Sequence, residues 1–485
     1  MYGLKYLNKI RNNEKVPLLI PKGYEFIGPP PFRHQIVTLL YAIYFRDLAI
    51  LHTMGVGKTA ASLFISRYWL QAGKAESVLV VCPSSVLGNW QNEISMFTEY
   101  TSVVLHHSNR DERLKLFKQP DVFKIINYEA TFRYLKQLLK LNSDIVIFDE
   151  SSRISNPKAK QTQACIEIAG HSKYRYILNG TPISNKPLDL WSQFYVLDFG
   201  DTLGESFNTY RRAYFASIKM KNKSGQYFSM YKIRNRAAMD SVSERIAKKS
   251  IRFTKEECIK DLPEKTYQTR LLELPKESRK LYNEMYENAK LEIAKLGQNV
   301  SAQIMLTKFV KALQITSGYL KTDEGNYLKL KTNPKLLELR NLIEEIVPND
   351  AIVIWCKYLF SISLIERMLK DMGLDYLVIR GDVKDKSGVA KLFQETSIID
   401  IPILIGQIRS GGIGLNLHKA SYEIFYENEY RLLDREQAED RCHRIGSKKA
   451  VTIIDLVVRD SIDEQILAAI HKKQTIAEYI LKNVR

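Results

Sequence analysis

Short runs of consecutive apolar residues recur along the chain, and between them lie longer stretches whose apolar positions return every three or four residues. The first pattern suits strands covered on both faces, as in Val78-Leu79-Val80-Val81; the second suits amphipathic helices. In the first half the runs predict strands over 47–52, 77–82, 102–106, 123–127, 145–149 and 174–179. In the second half they predict strands over 351–356, 375–379, 402–406, 423–427 and 451–458. Alternation of strand and helix makes parallel sheets, so the expected class is α/β, with each half its own doubly wound sheet.

Between the halves the pattern breaks. Residues 201–275 are rich in Lys, Arg, Tyr and Phe. Within them, alternating residues flank Lys223-Ser224-Gly225-Gln226, which predicts an exposed hairpin over 218–233. Apolar spacing predicts helices over 277–296 and 302–316, and a last helix over 461–484 with Ser461 as N-cap and Glu464 completing a capping box. The division that follows is a lead-in over 1–30, a first lobe over 31–200, a basic aromatic insertion and linker over 201–275, a helical insertion over 276–330, a second lobe over 331–460, and a brace helix over 461–485.

Composition narrows the function. A chain of 485 residues exceeds one ordinary core, and a hydrophobic fraction of 45% excludes wholesale disorder. With 72 Lys and Arg against 54 Asp and Glu the net charge is +18, which points to a polyanionic partner; a plain basic surface is the alternative. The five cysteines are scattered and form no Cys-x-x-Cys pair, which argues against a disulfide framework or a zinc site. Cys82 and Cys356 lie in apolar runs and are expected to be buried. No run approaches the roughly 20 apolar residues of a membrane span, and the N-terminus has no apolar signal core. The expectation is an intracellular, soluble protein.

Three motifs carry chemistry. Residues 48–59 read as strand, tight loop and helix start, with Met54-Gly55-Val56-Gly57-Lys58-Thr59 as the loop. Gly55 and Gly57 let backbone approach phosphate oxygens, the helix start offers N–H groups, Lys58 reaches the β- and γ-phosphates, and Thr59 holds Mg²⁺. The strict pattern has Gly where this chain has His52. Asp149 and Glu150 end a buried run and emerge at the carboxyl edge of the sheet, Asp149 for Mg²⁺ and Glu150 for the attacking water. Alone, such a pair also fits a solvated strand end. Arg441 and Arg444, three apart, would share a helix face, with Gln437 four residues before Arg441; a solvated basic face is the alternative. Phosphate cradle, acids and arginines are the parts of phosphoryl transfer, and their wide separation suggests two lobes closing on one nucleotide. Asn179-Gly180-Thr181-Pro182 is a turn, or a relay in which Thr181 senses the acids. The glycine cluster over 406–417 lacks a following Lys-Ser/Thr and reads as a loop contacting a nucleic-acid backbone. The histidines offer little, with no Ser-His-Asp or metal-ligand spacing.

In this order the motifs resemble the Swi/Snf-type helicase-like ATPases of superfamily two, from about Pro31 to Lys473. Phe32-Arg33-His34-Gln35 is similar to the family's adenine-reading entry, with Gln35 as the base-recognising residue. Val81 through Trp90, followed by Glu93, resembles a segment that touches one DNA strand, here through Ser84; Asn127-Tyr128-Glu129 resembles the next DNA contact. Gly180-Thr181-Pro182-Ile183 with Asn185, Pro187, Leu190 and Trp191 is specific to the group. The 410–417 segment resembles motif V, which implies DNA contacts at Arg409, Ser410 and Gly411 and a nucleotide contact at Gly414. Gln437 through Gly446 resembles motif VI, which implies that Gln437 meets nucleotide and that Arg441 and Arg444 reach the γ-phosphate. The chain departs from the family at His52-Thr53, where an acidic pair is usual, at Ser151-Ser152, where Ala-His is usual, at Ser447, and at Glu429-Tyr430-Arg431, where Trp-Asn-Pro is common.

The resemblance implies two RecA-like lobes using ATP and Mg²⁺ and a DNA-dependent ATPase that translocates along duplex DNA, as a compact bacterial or phage-style motor without targeting modules. A strand-separating or branch-migrating helicase is the second reading. A non-catalytic nucleic-acid scaffold is the third, and the intact Lys58, Asp149, Glu150 and arginines argue against it.

Overall fold

The computed structural model describes residues 3–12, 16–180, 187–221, 227–258, 265–295, 309–322, 324–347, 349–383, 385–409, 415–443 and 449–481. Its contacts divide the chain into one unit of Met1–Ala216, Ile233–Lys260 and Ile476–Arg485, and a second of Ser217–Lys232 and Asp261–Thr475.

The first unit is built on strands β1 (Leu48–Ile50), β2 (Val78–Cys82), β3 (Ser102–Val104), β4 (Phe123–Asn127), β5 (Ile145–Asp149) and β6 (Tyr174–Leu178). β7 (Phe215–Lys221) and β8 (Tyr227–Ile233) pair only with each other and fall almost wholly in the second unit, while β9 (Ser250–Ile251) returns to the main sheet of the first. Among the described residues that sheet is all parallel, in the order β3-β4-β2-β5-β6-β1-β9. Alternate residues of each strand feed opposite faces. Val78, Val80, Cys82, Ile145 and Ile147 pack with the helices Arg33–Phe45, Lys58–Gln71 and Leu87–Phe97, while Leu79, Val81, Val146 and Phe148 are buried on the other side. The helix Leu4–Arg11 adds Leu7 and Ile10 to the same core.

The second unit holds β10 (Lys265–Leu272), a small antiparallel pair of β11 (Tyr319–Lys321) and β12 (Tyr327–Lys329), then β13 (Ala351–Cys356), β14 (Tyr376–Ile379), β15 (Ile403–Gln407), β16 (Ala420–Phe425) and β17 (Val451–Val458). Its main sheet, in the order β10-β17-β16-β13-β15-β14, is again all parallel. The doubly wound arrangement is visible residue by residue. Ile352, Ile354 and Cys356 pack with the helices Pro334–Ile346 and Leu359–Asp371, whereas Ala351, Val353 and Trp355 pack with Lys386–Glu395 and Leu432–Glu439. Asn333 caps the first of these helices by accepting the Leu336 N–H, with Pro334 in the first turn, where its missing donor costs nothing.

The stretch read as a basic insertion is only partly one. β9 completes the first sheet and β10 the second. Tyr210 is buried and donates its hydroxyl to the Pro187 carbonyl, so it is a packing residue rather than part of an exposed basic surface. The turn of the expected hairpin, 222–226, lies outside the described residues, as does 302–308 of the second predicted helix.

Candidate active site

Parallel strands bring their carboxyl ends to one edge. Ile50, Leu178 and Asp149 stand in register across β1, β6 and β5, so whatever follows each emerges there together. Three chain segments meet at that edge.

The first is the glycine loop over 54–59, expected to cradle phosphate. Gly55 and Gly57 have φ of +76° and +77°, a region where a side chain costs about 1–2 kcal/mol. At Gly57 a Cβ would also sit 2.5 Å from Gln35 Nε2. Val56, between them, is fully buried, and its carbonyl accepts from His34 Nε2 at 2.7 Å. Gln35 donates to the Gly57 carbonyl at 3.3 Å and accepts the Phe32 N–H at 2.9 Å. Gly57 caps the helix Lys58–Gln71, and Lys58 Nζ rests on the carbonyls of His52 (3.1 Å) and Thr53 (3.4 Å). Met54 is buried and Thr59 half-buried.

The second segment is the acid pair. Asp149 accepts from the Trp90 indole N–H at 2.9 Å and from the Glu150 N–H at 2.9 Å. Burial pushes its carboxyl above the usual range; the Trp90 bond and the Lys58 charge oppose this without cancelling it. Glu150 adopts a left-handed backbone, φ +51°, rare for a side chain of its size. That conformation turns the chain sharply out of β5 into the short helix Ser151–Ile154.

The third segment is Asn179-Gly180, after β6. A Cβ on Gly180 would lie 2.7 Å from Met54 Cγ and 3.2 Å from Lys58 Nζ, so a larger residue here would have to displace the Met54 side chain and crowd Lys58. Asn179 belongs to a fully buried polar triad that the sequence did not reveal. The Ser151 hydroxyl donates to Gln193 Oε1 at 2.8 Å, and Asn179 Nδ2 donates to Gln193 Oε1 at 3.1 Å and to Ser151 Oγ at 3.2 Å. Gln193 Nε2 donates to the Asp189 carbonyl at 2.9 Å. The triad ties the acid pair's exit to the exit of β6. Thr181, the expected sensor, lies outside the described residues.

In the second unit Gln437 is half-buried on the helix Leu432–Glu439. Arg441 lies beyond that helix, so the expected shared helix face does not exist at this residue. Asp440 ends the helix, the Arg441 N–H turns back to the Ala438 carbonyl at 3.0 Å, and the Arg441 carbonyl accepts from Leu417. The base of this turn is charged and buried. Arg435 is held by Asp455 and by Glu439 (2.7 Å), and Glu439 also accepts from Tyr267 (2.9 Å) and Lys265 (3.2 Å). Burial pushes the Glu439 carboxyl up, and Lys265 and Arg435 more than offset it. Beneath Cys442, Glu423 accepts from the Trp355 indole at 2.7 Å, and burial pushes its carboxyl up to about 8. Arg444, Ser410, Gly411 and Gly414 lie outside the described residues.

The residues expected at DNA fall into different settings. Ser84 is exposed, Asn127 is half-buried and bonded to Glu129 at 2.8 Å, and Arg409 is 65% exposed, with Glu429 at 3.0 Å. Tyr128 corrects the expectation: its side chain is fully buried, and its hydroxyl donates to the Asp149 carbonyl at 2.7 Å. It is a strut behind the acid pair, out of reach of any strand on the surface. Cys82 and Cys356 are buried. Among the described residues no cluster of side chains could hold a metal as a closed His/Cys/Asp/Glu set, and no helix is long and apolar enough to cross a membrane.

The family model for the SNF2-related domain matches residues 7–318. The uncharacterized ATP-dependent helicase MG018 of Mycoplasma genitalium is 26% identical over 88% of this chain and 40% of its own length. The putative ATP-dependent helicase/translocase YwqA of Bacillus subtilis is 27% identical over 89% of this chain and 46% of its own. The chain thus spans less than half the length of either relative. Among solved structures, the Sulfolobus solfataricus SWI2/SNF2 ATPase core in complex with dsDNA aligns with 97% of this chain and 96% of its own at 24% identity and a TM-score of 0.45.

Proposed function

The chain belongs to the SNF2-related family, and from that membership we propose that it is a DNA-dependent ATPase that couples hydrolysis of ATP to translocation along duplex DNA. The observation that carries this reading is the meeting of Lys58, Asp149 with Glu150, and Gly180 at one sheet edge. Phosphoryl transfer needs little covalent help from a protein; it needs positioned charge. The loop 54–59 cradles the phosphates, with Lys58 leaving its two backbone carbonyls to meet them. Gln35 stands at the loop's flank to meet the adenine. Thr59 and Asp149 are hard oxygen donors of the kind magnesium takes, and a buried carboxylate such as Asp149 fits a divalent cation beside it. Magnesium so bound would neutralise charge on the phosphate oxygens. Glu150 orients the attacking water and accepts its proton. Arg441 and Arg444 neutralise charge at the transferring phosphoryl group, and Gly414 and Gln437 contact nucleotide.

The net charge of +18 supports a polyanionic track. Ser84, Asn127, Arg409, Ser410 and Gly411 are the backbone contacts in this reading. The test is ATP hydrolysis by the full chain with and without duplex DNA. Duplex stimulates the parent, and Lys58→Ala abolishes turnover; undiminished DNA-stimulated hydrolysis in that variant would refute the site. The names of both bacterial relatives also contain the word helicase, which favours strand separation as a second reading. Displacement of a labelled strand from a forked duplex separates the two.

A further inference from the structure

The histidine beside the phosphate loop stands where the family usually has an acid, and it is not idle. His52 is fully buried at the end of β1. The backbone of 249–253 lies along this end of the sheet: Ala49, Leu51 and Thr53 donate their N–H groups to the carbonyls of Lys249, Ile251 and Phe253. The Phe253 N–H, in return, points at His52 Nδ1 at 3.1 Å. On the other side His52 Nε2 lies 2.8 Å from Thr38 Oγ1, and Thr38 Oγ1 lies 2.7 Å from the His34 carbonyl. His34 Nε2 lies 2.7 Å from the Val56 carbonyl.

The direction of every proton in this series follows from chemistry. A backbone N–H can only donate, so His52 Nδ1 accepts and carries no proton. A neutral imidazole then carries its proton on Nε2, which donates to Thr38. A carbonyl can only accept, so the Thr38 hydroxyl gives its own proton to His34. The Val56 carbonyl likewise accepts from His34 Nε2. His52 is therefore neutral with its tautomer set, and His34 carries a proton on Nε2. Burial disfavours charge on each ring, and Lys58, Arg11 and Arg252 around His52 disfavour it further.

The end of the series is the loop itself. Val56 lies between two left-handed glycines, residues with wide backbone freedom of their own. Its side chain is buried, and its carbonyl is tied to His34; the Gly57 carbonyl is tied to Gln35. No cis peptide is present among the described residues. In a trans peptide the N–H runs opposite to the carbonyl. Tying the carbonyls of Val56 and Gly57 to the helix Arg33–Phe45 therefore aims the N–H groups of Gly57 and Lys58 away from it.

We propose that His52, Thr38 and His34 form a positioning relay, of fixed proton direction, that holds the phosphate loop with its N–H groups aimed for a nucleoside triphosphate. This rests on the reading that residues 54–59 bind ATP. None of the three needs to touch nucleotide. The relay aligns the loop for ground state and transition state alike, so its loss appears in affinity and leaves turnover at saturation in place.

The experiment measures ATP affinity and saturated turnover, with duplex DNA, for the full chain. Thr38→Val keeps the shape and removes the hydroxyl at the centre of the relay. We expect affinity to fall about tenfold, which corresponds to about 1.4 kcal/mol, with turnover at saturation within about twofold of the parent. Thr38→Ser restores affinity. Parent-like affinity in a folded Thr38→Val, or equal loss in the Ser and Val variants, overturns the relay. Nitrogen NMR of the parent's histidine rings decides independently of any variant's folding: both rings should be neutral with the proton on Nε2, and a protonated Nδ1 on His52 at pH 7.5 overturns it. If the parent itself fails to bind ATP, or Lys58→Ala binds and hydrolyses like the parent, it is the nucleotide reading that has failed.

Discussion

Replacing Gln193 with leucine tests how the acid pair is held. Gln193 and Ser151 are fully buried, and Gln193 Oε1 accepts from both the Ser151 hydroxyl and Asn179 Nδ2. Leucine fills similar space and offers no acceptor, so the Ser151 hydroxyl loses its partner away from water. An orphaned buried donor costs about 1–3 kcal/mol, and the lost bonds add to it, so Gln193→Leu should destabilise the first lobe by about 2–4 kcal/mol. Ser151→Ala alone removes two neutral bonds, the one Ser151 donates to Gln193 and the one it accepts from Asn179, and leaves Asn179 on Gln193, which costs about 1–2 kcal/mol. In the Gln193→Leu background the same serine change removes the orphan itself. It also takes away the acceptor that Asn179 Nδ2 keeps on Ser151, so the two effects oppose and the serine change should cost about 1 kcal/mol less there than in the parent. Native-state hydrogen exchange of peptides covering Ile145–Asp149 and Tyr174–Leu178 reads this lobe apart from the other. If Ser151→Ala destabilises equally in both backgrounds, the hydroxyl is not held by Gln193 and the triad does not couple the two strand ends.

Three further outcomes follow from the same reasoning. Gly57→Ala combines a φ of +77° with a Cβ 2.5 Å from Gln35 Nε2, so nucleotide affinity should drop by at least about tenfold in a titration; unchanged affinity would show that the loop tolerates a shifted start. Lys335→Met strips a buried partner from Asp463, 2.7 Å away, and should cost the second lobe about 3–5 kcal/mol in exchange of peptides over Val451–Val458. Glu423 keeps its proton to about pH 8 when folded, against 4.5 when unfolded, chiefly because it is buried. The unfolded chain therefore releases that proton first. The second lobe loses stability as pH rises from about 4.5 to about 8 and changes little from this group outside that window. Glu423→Gln should match the parent near pH 4 and exceed it at pH 8.5 by an amount on the order of a few kcal/mol; a parallel pH profile for the two would count against a buried, protonated carboxyl.

Much of the fold was legible in one dimension. The predicted spans 123–127, 145–149, 351–356 and 451–458 coincide with β4, β5, β13 and β17, because strands covered on both faces are mostly apolar and such short runs have few other uses. The shape of the glycine loop over 54–59 and the place of Asp149 at a strand end were legible for a related reason: positive-φ glycines and a buried apolar run are demands that local sequence has to meet. What the sequence left undecided depends on partners distant in the chain. β9 is two residues long and β10 is largely exposed, so each is a strand only because a neighbour offers its edge. Tyr128, expected at DNA, and Tyr210, within the basic aromatic stretch, instead turn inward, and their hydroxyls meet carbonyls 21 and 23 residues away. Arg441 follows helical spacing in sequence, but the helix stops at Glu439 and its direction is set by the turn beyond. His52 had no signature at all: an imidazole acquires a role from what faces its two nitrogens, and here those groups come from Phe253 and Thr38, 201 and 14 residues away. Local chemistry therefore chose the elements, and long-range packing chose which side chains hold the site in place.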